Sequence, residues 1–337
     1  MRVVHFSPPA PRSTRELVQA NVDPRAVVAT LVPVLVLAIE LGYYFYRSPA
    51  SFARIYLLGD LSTAMPLILV ATGQAIVIIG GGIDISVGGT ISLVSALAAR
   101  TFASSTPGVT AWSLALVGLG LAIGATNGFL IGQLQLSPVI VTIAMWSITG
   151  GLAIIVLSAP GGNISLSDVN FWTGTLVHIP SPLLIIGCLC IGWFILRRSP
   201  FGQKLYAIGS DREAAIASGV RVGHVEWASY SLCGGLAAIA GLYVVASQAS
   251  GDPNAGTPLI LDSIAAVVVG GIPITGGRGS IINVIVGALI YAAVGYIITV
   301  SYVSPFLAPF FTGVILIAVV AISSLVSIAA SRRLRST

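Results

Sequence analysis

Residues 78–99, IIGGGIDISVGGTISLVSALAA, place one aspartate and five glycines inside an apolar part of the chain. The whole sequence has 337 residues, of which 56% are hydrophobic and 8% are charged, and its mean hydropathy is +0.99. Soluble globular chains carry about 25% charged residues. This chain has more apolar side chain than one soluble core can bury, so lipid must be the solvent for most of it. Asp84 is then an ionisable residue in a membrane segment, which makes it a functional candidate.

Apolar stretches of about 20 residues, the length that crosses a bilayer, recur along the sequence. We therefore predict an all-α polytopic membrane protein with about ten transmembrane helices, some of them broken or re-entrant at glycine-rich segments. A tail over 1–26, a transmembrane domain over 27–329 and a basic tail over 330–337 are the predicted domains. The predicted spans are 27–45, 61–82, 86–104, 112–132, 138–157, 181–196, 227–247, 259–275, 281–300 and 308–329.

Basic residues are distributed unevenly between the predicted loops. With both termini in the cytosol, 13 of the 16 lysines and arginines fall in cytosolic segments, as the positive-inside rule requires. The net charge of +5 suits the anionic inner leaflet and needs no nucleic acid to explain it. The longest polar cytosolic loop is then 197–226. Three cysteines, Cys188, Cys190 and Cys233, lie within predicted spans and indicate no disulfide framework.

Asp84 lies between the second and third predicted spans, among Gly81, Gly82 and Gly88. Glycines let a backbone unwind or let helices approach closely, and broken helices at membrane depth line cavities in transport proteins. Two interpretations remain open for Asp84 and Ser86. Either they cap the following helix in a tight turn, or they belong to the translocation pathway or its gate.

Four more polar residues are candidates for the pathway, namely Gln74, Asn127, Gln248 and Asp262. They are scattered, and the alternative for each is a hydrogen bond between helices. Asp262, at the start of the eighth span, either caps that helix or faces a partner outside the membrane. The sequence contains no spacing typical of a metal site or a catalytic triad.

GGIPITGG, residues 270–277, aligns without a gap on GGIDISVG, residues 81–88. Pro273 takes the place of Asp84. The match is short and rich in glycine, so it indicates either an internal repeat or a chance similarity. We expect the second stretch to be shaped by Gly270, Gly271, Gly276 and Gly277.

A short helix is predicted in the long polar loop, over the sequence EAAIASG at 213–219. Asp211 can cap its start, alanines favour the helix, and Gly219 supplies a left-handed stop. A small helix with an alanine surface suits docking in a groove of another protein. Its candidate residues are Asp211, Glu213, Ala214, Ala215, Ser218 and Gly219.

The pattern E-A-A-x-x-x-G resembles the cytosolic loop of permeases from ATP-binding-cassette importers. Three longer stretches, YAIGSDREAAIASGV, YSLCGGLAAIAGLYVVA and LDSIAAVVVGGIPITGGRGS, extend the resemblance together with GGIDISVG. In this order they are similar to the permeases of the ribose, xylose and autoinducer-type sugar class of bacterial importers. The resemblance covers about residues 55–325. The chain departs from it at Ile272 and Pro273, where members of the class usually carry Thr or Ser and no proline.

This resemblance implies a permease subunit of the bacterial inner membrane that translocates a sugar, a pentose or a related monosaccharide. It implies three partners besides membrane lipid. These are a cytosolic ATPase with tandem nucleotide-binding domains that holds ATP and Mg, a periplasmic or lipid-anchored sugar-binding protein, and a second permease, identical or related. The predicted helix at 213–219 would dock on the ATPase. The sequence has no phosphate-binding loop, so we expect no enzymatic activity, cofactor or metal in this chain.

Two other functional classes were weighed. An ion-coupled secondary transporter of a small polar solute needs an ionisable site in its spans, for which Glu40 and Asp84 are the candidates, but it gives the 213–219 helix no purpose. An intramembrane enzyme needs a paired nucleophile and base or metal ligands, and the sequence shows neither pattern.

Overall fold

The computed structural model describes residues 24–101, 108–162, 164–176 and 178–307, together with a few positions between 310 and 321. Most of the predicted N-terminal tail, the predicted C-terminal tail and most of the tenth predicted span lie outside the described residues. Helices dominate the described chain.

Twelve α-helices with defined bounds follow one another between residues 24 and 307. The other regular elements there are a two-residue hairpin, Thr175–Leu176 (β1) paired with Ile179–Pro180 (β2), and the 3₁₀ turns Pro49–Phe52 and Pro305–Leu307. The helices are α1 (Pro24–Arg47), α2 (Arg54–Ile79), α3 (Val87–Thr101), α4 (Gly108–Gly132), α5 (Pro138–Val156), α6 (Leu166–Thr173), α7 (Ser181–Arg198), α8 (Pro200–Ser210), α9 (Arg212–Ala217), α10 (Val222–Gln248), α11 (Thr257–Val269) and α12 (Ile281–Val300).

Seven of the described helices are long and apolar enough to cross a membrane, namely α1, α2, α4, α5, α7, α10 and α12. The chain is therefore an all-α polytopic membrane protein, as predicted. Helix α11 has 13 residues, about 20 Å at 1.5 Å per residue, which is shorter than a hydrocarbon layer of about 30 Å. The predicted span 259–275 is thus wrong in length, because the helix ends at Val269 and Gly271 turns the chain into a loop.

Helices α2 and α10 form the centre of the fold. Every residue of α2 from Ala64 to Ile79 is buried, and 72% of the membrane-spanning part of α10 is buried. By contrast, only 22% of α5 and 11% of α7 are buried within the chain. Large apolar side chains are exposed on both helices, among them Ile155 of α5 and Phe194 of α7, which suits helices that face lipid or another subunit.

Glycines bring α4 and α10 into close contact. On α4 they recur every fourth residue at Gly120, Gly124, Gly128 and Gly132, so they lie on one face of the helix. A Cβ at any of these positions would collide with the backbone of α10. Small residues at this spacing allow two membrane helices to approach backbone to backbone. This repeat was visible in the sequence, but our sequence analysis did not use it.

The loops divide between two ends of the fold. At one end lie the loops 80–86, 133–137, 199–221 and 270–280. Gly80, Pro138, Arg212 and Glu226, which lie in or next to the first three of these loops, line one cavity of about 60 Å³. The N–H of Gly277, in the fourth loop, donates to the carbonyl oxygen of Ile79 at the end of α2. At the opposite end, the Asp252 N–H donates to the Ser95 hydroxyl at 3.0 Å, and Gly161 pairs with Gly251. In the series α2, α3, α4, α5, α7, α10, α11 and α12, successive helices therefore run in alternating directions.

Candidate functional site

Helices α2 and α11 end in the same backbone motif. Gly81 and Gly271 each follow the helix in a left-handed conformation, with φ of +88° and +82°. The N–H of each glycine donates to the carbonyl oxygen three residues earlier, at 2.8 Å after α2 and at 2.9 Å after α11. The N–H of the following residue donates to the carbonyl oxygen five residues before it, at 3.0 Å after α2 and at 3.2 Å after α11. This is the Schellman arrangement, which favours glycine.

The shared motif corrects the alignment of the two glycine-rich stretches. The sequence alignment placed Gly270 on Gly81, whereas the structure places Gly271 in that role. Gly81 and Gly271 are 190 positions apart, one more than the ungapped alignment assumes. The error arises because runs of glycine align in neighbouring registers equally well, whereas a left-handed residue occupies one position only.

The two glycine-rich loops, 80–86 and 270–280, contact each other and α8. The Gly277 N–H donates to the carbonyl oxygen of Ile79 at 2.9 Å, and the Tyr206 hydroxyl of α8 donates to the carbonyl oxygen of Gly279. A Cβ on Gly209 of α8 would collide with the Ile79 carbonyl and the Gly277 N–H. A movement of α8 therefore has to displace both loops or break these contacts.

Asp84, Ser86 and Asn127 form a buried polar group beside this junction. All three are at most 1% exposed. The Asp84 Oδ1 accepts the Ser86 N–H at 2.9 Å and the Ser86 hydroxyl at 2.6 Å, and the Asn127 amide of α4 donates to the Ser86 oxygen at 2.8 Å. Asp84 therefore lies in a tight turn directly before α3, as in one of its two interpretations, and its side chain bonds to Ser86 and not to an N–H inside the helix.

Gln74 of α2 belongs to the same group. In the amide orientation that satisfies both partners, it donates to the Asp84 carbonyl oxygen at 3.1 Å and accepts the Asp84 N–H at 3.3 Å. On the other side, the Tyr230 hydroxyl of α10 donates to the Ile83 carbonyl oxygen at 3.4 Å, and the Cys233 thiol lies against the Asp84 carboxylate. Four of the predicted pathway residues, Gln74, Asp84, Ser86 and Asn127, thus meet in one place.

The remaining two predicted pathway residues lie elsewhere. Gln248 is exposed at the end of α10. Asp262 lies in the second turn of α11, which begins at Thr257, and accepts a hydrogen bond from the Tyr291 hydroxyl of α12. The helix-cap interpretation of Asp262 is therefore wrong, because the N-cap residue of α11 is Gly256, six residues earlier.

The short helix predicted at 213–219 is α9. The Asp211 Oδ1 accepts the Ala214 N–H at 2.9 Å, and Gly219 follows the helix with φ of +81°, so both ends form as predicted. Ile216 is 55% exposed, whereas Ala215 is 4% exposed and packs on the chain. The alanine surface that we predicted is thus only partly free: Glu213, Ala214, Ile216 and Ser218 are exposed.

Arg212 and Glu226, which our sequence analysis did not select, connect α9 to α10 through an ion pair. Glu226 is one turn from Tyr230, so the pair joins α9 to the helix that contacts Ile83 and Asp84. No sequence motif marks this pair. Among the described residues, no three His, Cys, Asp or Glu side chains come close enough to hold a metal ion.

Comparison with known proteins assigns the chain to a family. A family model described as "Branched-chain amino acid transport system / permease component" matches residues 56–320. The chain belongs to this family. Its members are membrane subunits of transporters and not enzymes, and they act with ATPase and binding-protein partners. The chain is accordingly an integral membrane permease.

Individual relatives are import permeases for sugars. The chain is 35% identical to the ribose import permease protein RbsC of Escherichia coli over 66% of its length and 71% of the relative. It is 32% identical to the fructose import permease protein FrcC of Rhizobium meliloti over 77% of its length and 75% of the relative. It is 35% identical to the galactofuranose transporter permease protein YtfT of Escherichia coli over 68% of each chain. The resemblance to sugar import permeases is confirmed. No solved structure matches the chain.

Proposed function

We propose that this chain translocates a monosaccharide, a pentose or a related sugar, that a binding protein delivers outside the membrane and that an ATPase drives from the cytosol. The relatives named for ribose, fructose and galactofuranose favour a sugar over the amino acids in the family's description. Three different sugars among relatives of similar identity leave the individual sugar open to experiment.

The observation that carries this proposal is the exposed face of α9. The helix lies between the membrane spans α7 and α10, is capped at both ends and presents Ile216 beside Glu213. More than half of the Ile216 side chain is exposed, although it lies on a six-residue helix outside the proposed membrane spans. We propose that this face docks in a groove of the ATPase through Glu213, Ala214, Ile216 and Ser218, with Asp211 and Gly219 fixing the ends of the helix.

In the proposed topology the chain crosses the bacterial inner membrane ten times, and both termini lie in the cytosol. Helices α3 and α11, which are shorter than the hydrocarbon layer, and the predicted span 308–329 would complete the seven longer helices, and the alternating helix directions support this order. A second permease copy would cover an exposed helix face such as that of α5. The partner ATPase would carry two nucleotide-binding domains and bind ATP and Mg, none of which this chain would hold.

Contacts in the structure provide a route from α9 to the membrane. The Arg212–Glu226 ion pair links α9 to α10, and Tyr206 links α8 to the second glycine-rich loop. Both routes reach the junction around Asp84. We propose that this junction is a hinge near the cytosolic end of the pathway, whose hydrogen bonds rearrange when the ATPase moves α9, because packed elements of this kind switch between discrete arrangements.

A pull-down of the tagged chain from mild detergent, followed by mass spectrometry, tests the proposal. We expect an ATPase with two nucleotide-binding domains to be recovered with the permease. Recovery of the permease alone, with solute uptake driven by an ion gradient in vesicles without ATP, would instead support an ion-coupled carrier.

A further inference from the structure

A second cavity lies at the end of α7 that adjoins α8, away from the buried group around Asp84. Its volume is about 860 Å³ and it opens to the surroundings of the chain. Arg197 and Arg198, the last two residues of the membrane-spanning helix α7, line it. A cavity at this position lies at the boundary between the hydrocarbon layer and water.

One part of the cavity wall is basic and polar. The Arg198 guanidinium lies 3.5 Å from the centre of the Phe194 ring, which holds it in place. Within the described residues the ion pair found is Arg212–Glu226, so neither arginine of the cavity has a carboxylate partner there. Gln203 and Ser280 also line this part, and the Ser280 side chain makes no capping bond to α12. The lining contains no aspartate or glutamate.

The other part of the wall is apolar. Ile191, Phe194 and Ile282 line it and are each more than half exposed. Trp193 is 4% exposed, and its indole N–H has no acceptor among the described residues. The cavity therefore joins two unpaired guanidinium groups to a surface of isoleucine and aromatic side chains.

We propose that this cavity binds an anionic phospholipid, with the phosphate on Arg197 and Arg198 and the acyl chains along Ile191, Phe194 and Ile282. Basic pockets between membrane helices attract anionic lipid headgroups, and the apolar wall suits acyl chains. In the proposed orientation the lipid belongs to the cytosolic leaflet.

Charge argues for a lipid rather than a second copy of the chain. In a two-fold symmetric dimer the same patch faces itself, so a copy seated here would bring four guanidinium groups together without a carboxylate from the lining. A lipid phosphate supplies the missing negative charge. The acyl chains of the same lipid would cover the apolar wall of the cavity.

Native mass spectrometry of the purified full-length chain tests the site. Phosphatidylglycerol and phosphatidylcholine with the same acyl chains are titrated onto the natural sequence and onto Arg197→Gln/Arg198→Gln. A control, Arg221→Gln/Arg278→Gln, removes the same charge from two exposed arginines that do not line the cavity. A third variant, Arg197→Lys/Arg198→Lys, keeps the charge at the site.

We expect the affinity for phosphatidylglycerol to fall about tenfold in the cavity glutamine pair. It should stay near the natural value in the lysine pair, because lysine keeps the charge that attracts the anionic headgroup. It should also stay near the natural value in the control, because those two arginines do not line the cavity. Phosphatidylcholine should bind weakly to all four proteins. Glycerol phosphate, a soluble headgroup without acyl chains, should not displace the lipid at equal concentration.

Three results would overturn the proposal. Equal loss in the control pair would show that net charge alone attracts the lipid. Displacement by glycerol phosphate at equal concentration would show a site for free phosphate groups. Conversion of a dimer to a monomer in the cavity pair, with lipid binding unchanged, would show that the cavity is an interface between permease copies.

Discussion

Arg212, the first residue of α9, forms an ion pair with Glu226 in the second turn of α10. The pair joins the proposed docking helix to the helix that carries Tyr230 and Cys233, both of which adjoin the junction at Asp84. It is therefore a side-chain connection between α9 and the helix that contacts the buried polar group.

The first prediction concerns this ion pair. Arg212→Gln should reduce ATP-driven uptake severalfold, because α9 loses its connection to α10. It should also cost about 1–3 kcal/mol of stability, since the Arg212 side chain is 47% exposed but that of Glu226 is only 12% exposed, and a mostly buried carboxylate is left without its partner. Uptake and thermal unfolding are measured on the same preparations. The exchanged variant Arg212→Glu/Glu226→Arg should recover most of the uptake, and natural uptake in Arg212→Gln would contradict the proposed link.

The second prediction separates docking from packing on α9. Ile216→Asp should abolish recovery of the ATPase and leave the unfolding temperature unchanged, because Ile216 is exposed. Ala215→Asp should instead destabilise the permease by about 2 kcal/mol or more, because it buries a carboxylate. Ile216→Val is the control and should retain the ATPase. If Ile216→Asp still recovers the ATPase, α9 is not the docking helix.

The third prediction tests the buried polar group. Ser86→Ala removes the hydroxyl between Asp84 and Asn127 and leaves buried polar atoms without a partner, so it should cost about 1–3 kcal/mol. Ser247→Ala, at an exposed position on α10, should change stability by at most about 0.5 kcal/mol. Thermal unfolding in one detergent compares the two variants. Equal effects would show that the Ser86 bonds do not stabilise the junction.

The fourth prediction uses two glycines of α4. Gly124→Ala should destabilise the protein by about 1–3 kcal/mol or more, because its Cβ would collide with the Tyr230 carbonyl oxygen and separate α4 from α10. Gly118→Ala should be neutral or stabilising by up to about 1 kcal/mol, since nothing lies within 4 Å of its Cβ and alanine favours helices. Unfolding temperatures measure both. A loss at Gly118 as large as that at Gly124 would contradict the close-contact account.

Local features of the fold could be predicted from the sequence. The turn before α3, the short helix α9, its cap at Asp211 and its stop at Gly219 each depend on a few neighbouring residues, so composition and spacing were enough. The family resemblance likewise followed from contiguous stretches, and the family match over residues 56–320 confirms it.

Contacts between distant residues could not be predicted in this way. Gln74, Asp84 and Asn127 come from α2, a loop and α4, and only helix packing shows that they meet. The local pattern predicts the turn of Asp84 and Ser86 before α3, but it does not predict that Asn127 of α4 donates to the Ser86 oxygen. The glycine repeat on α4 is a sequence signal for a different contact, the close approach of α4 to α10.

Uptake of radiolabelled monosaccharides into proteoliposomes tests the central claim most directly. The permease is reconstituted with the ATPase and binding protein that it recovers, and ribose, fructose and galactose are compared with leucine, with and without internal ATP. We predict uptake of a sugar that requires ATP and the binding protein and that Ile216→Asp abolishes. Uptake that an ion gradient drives without ATP, or uptake of leucine alone, would contradict the account.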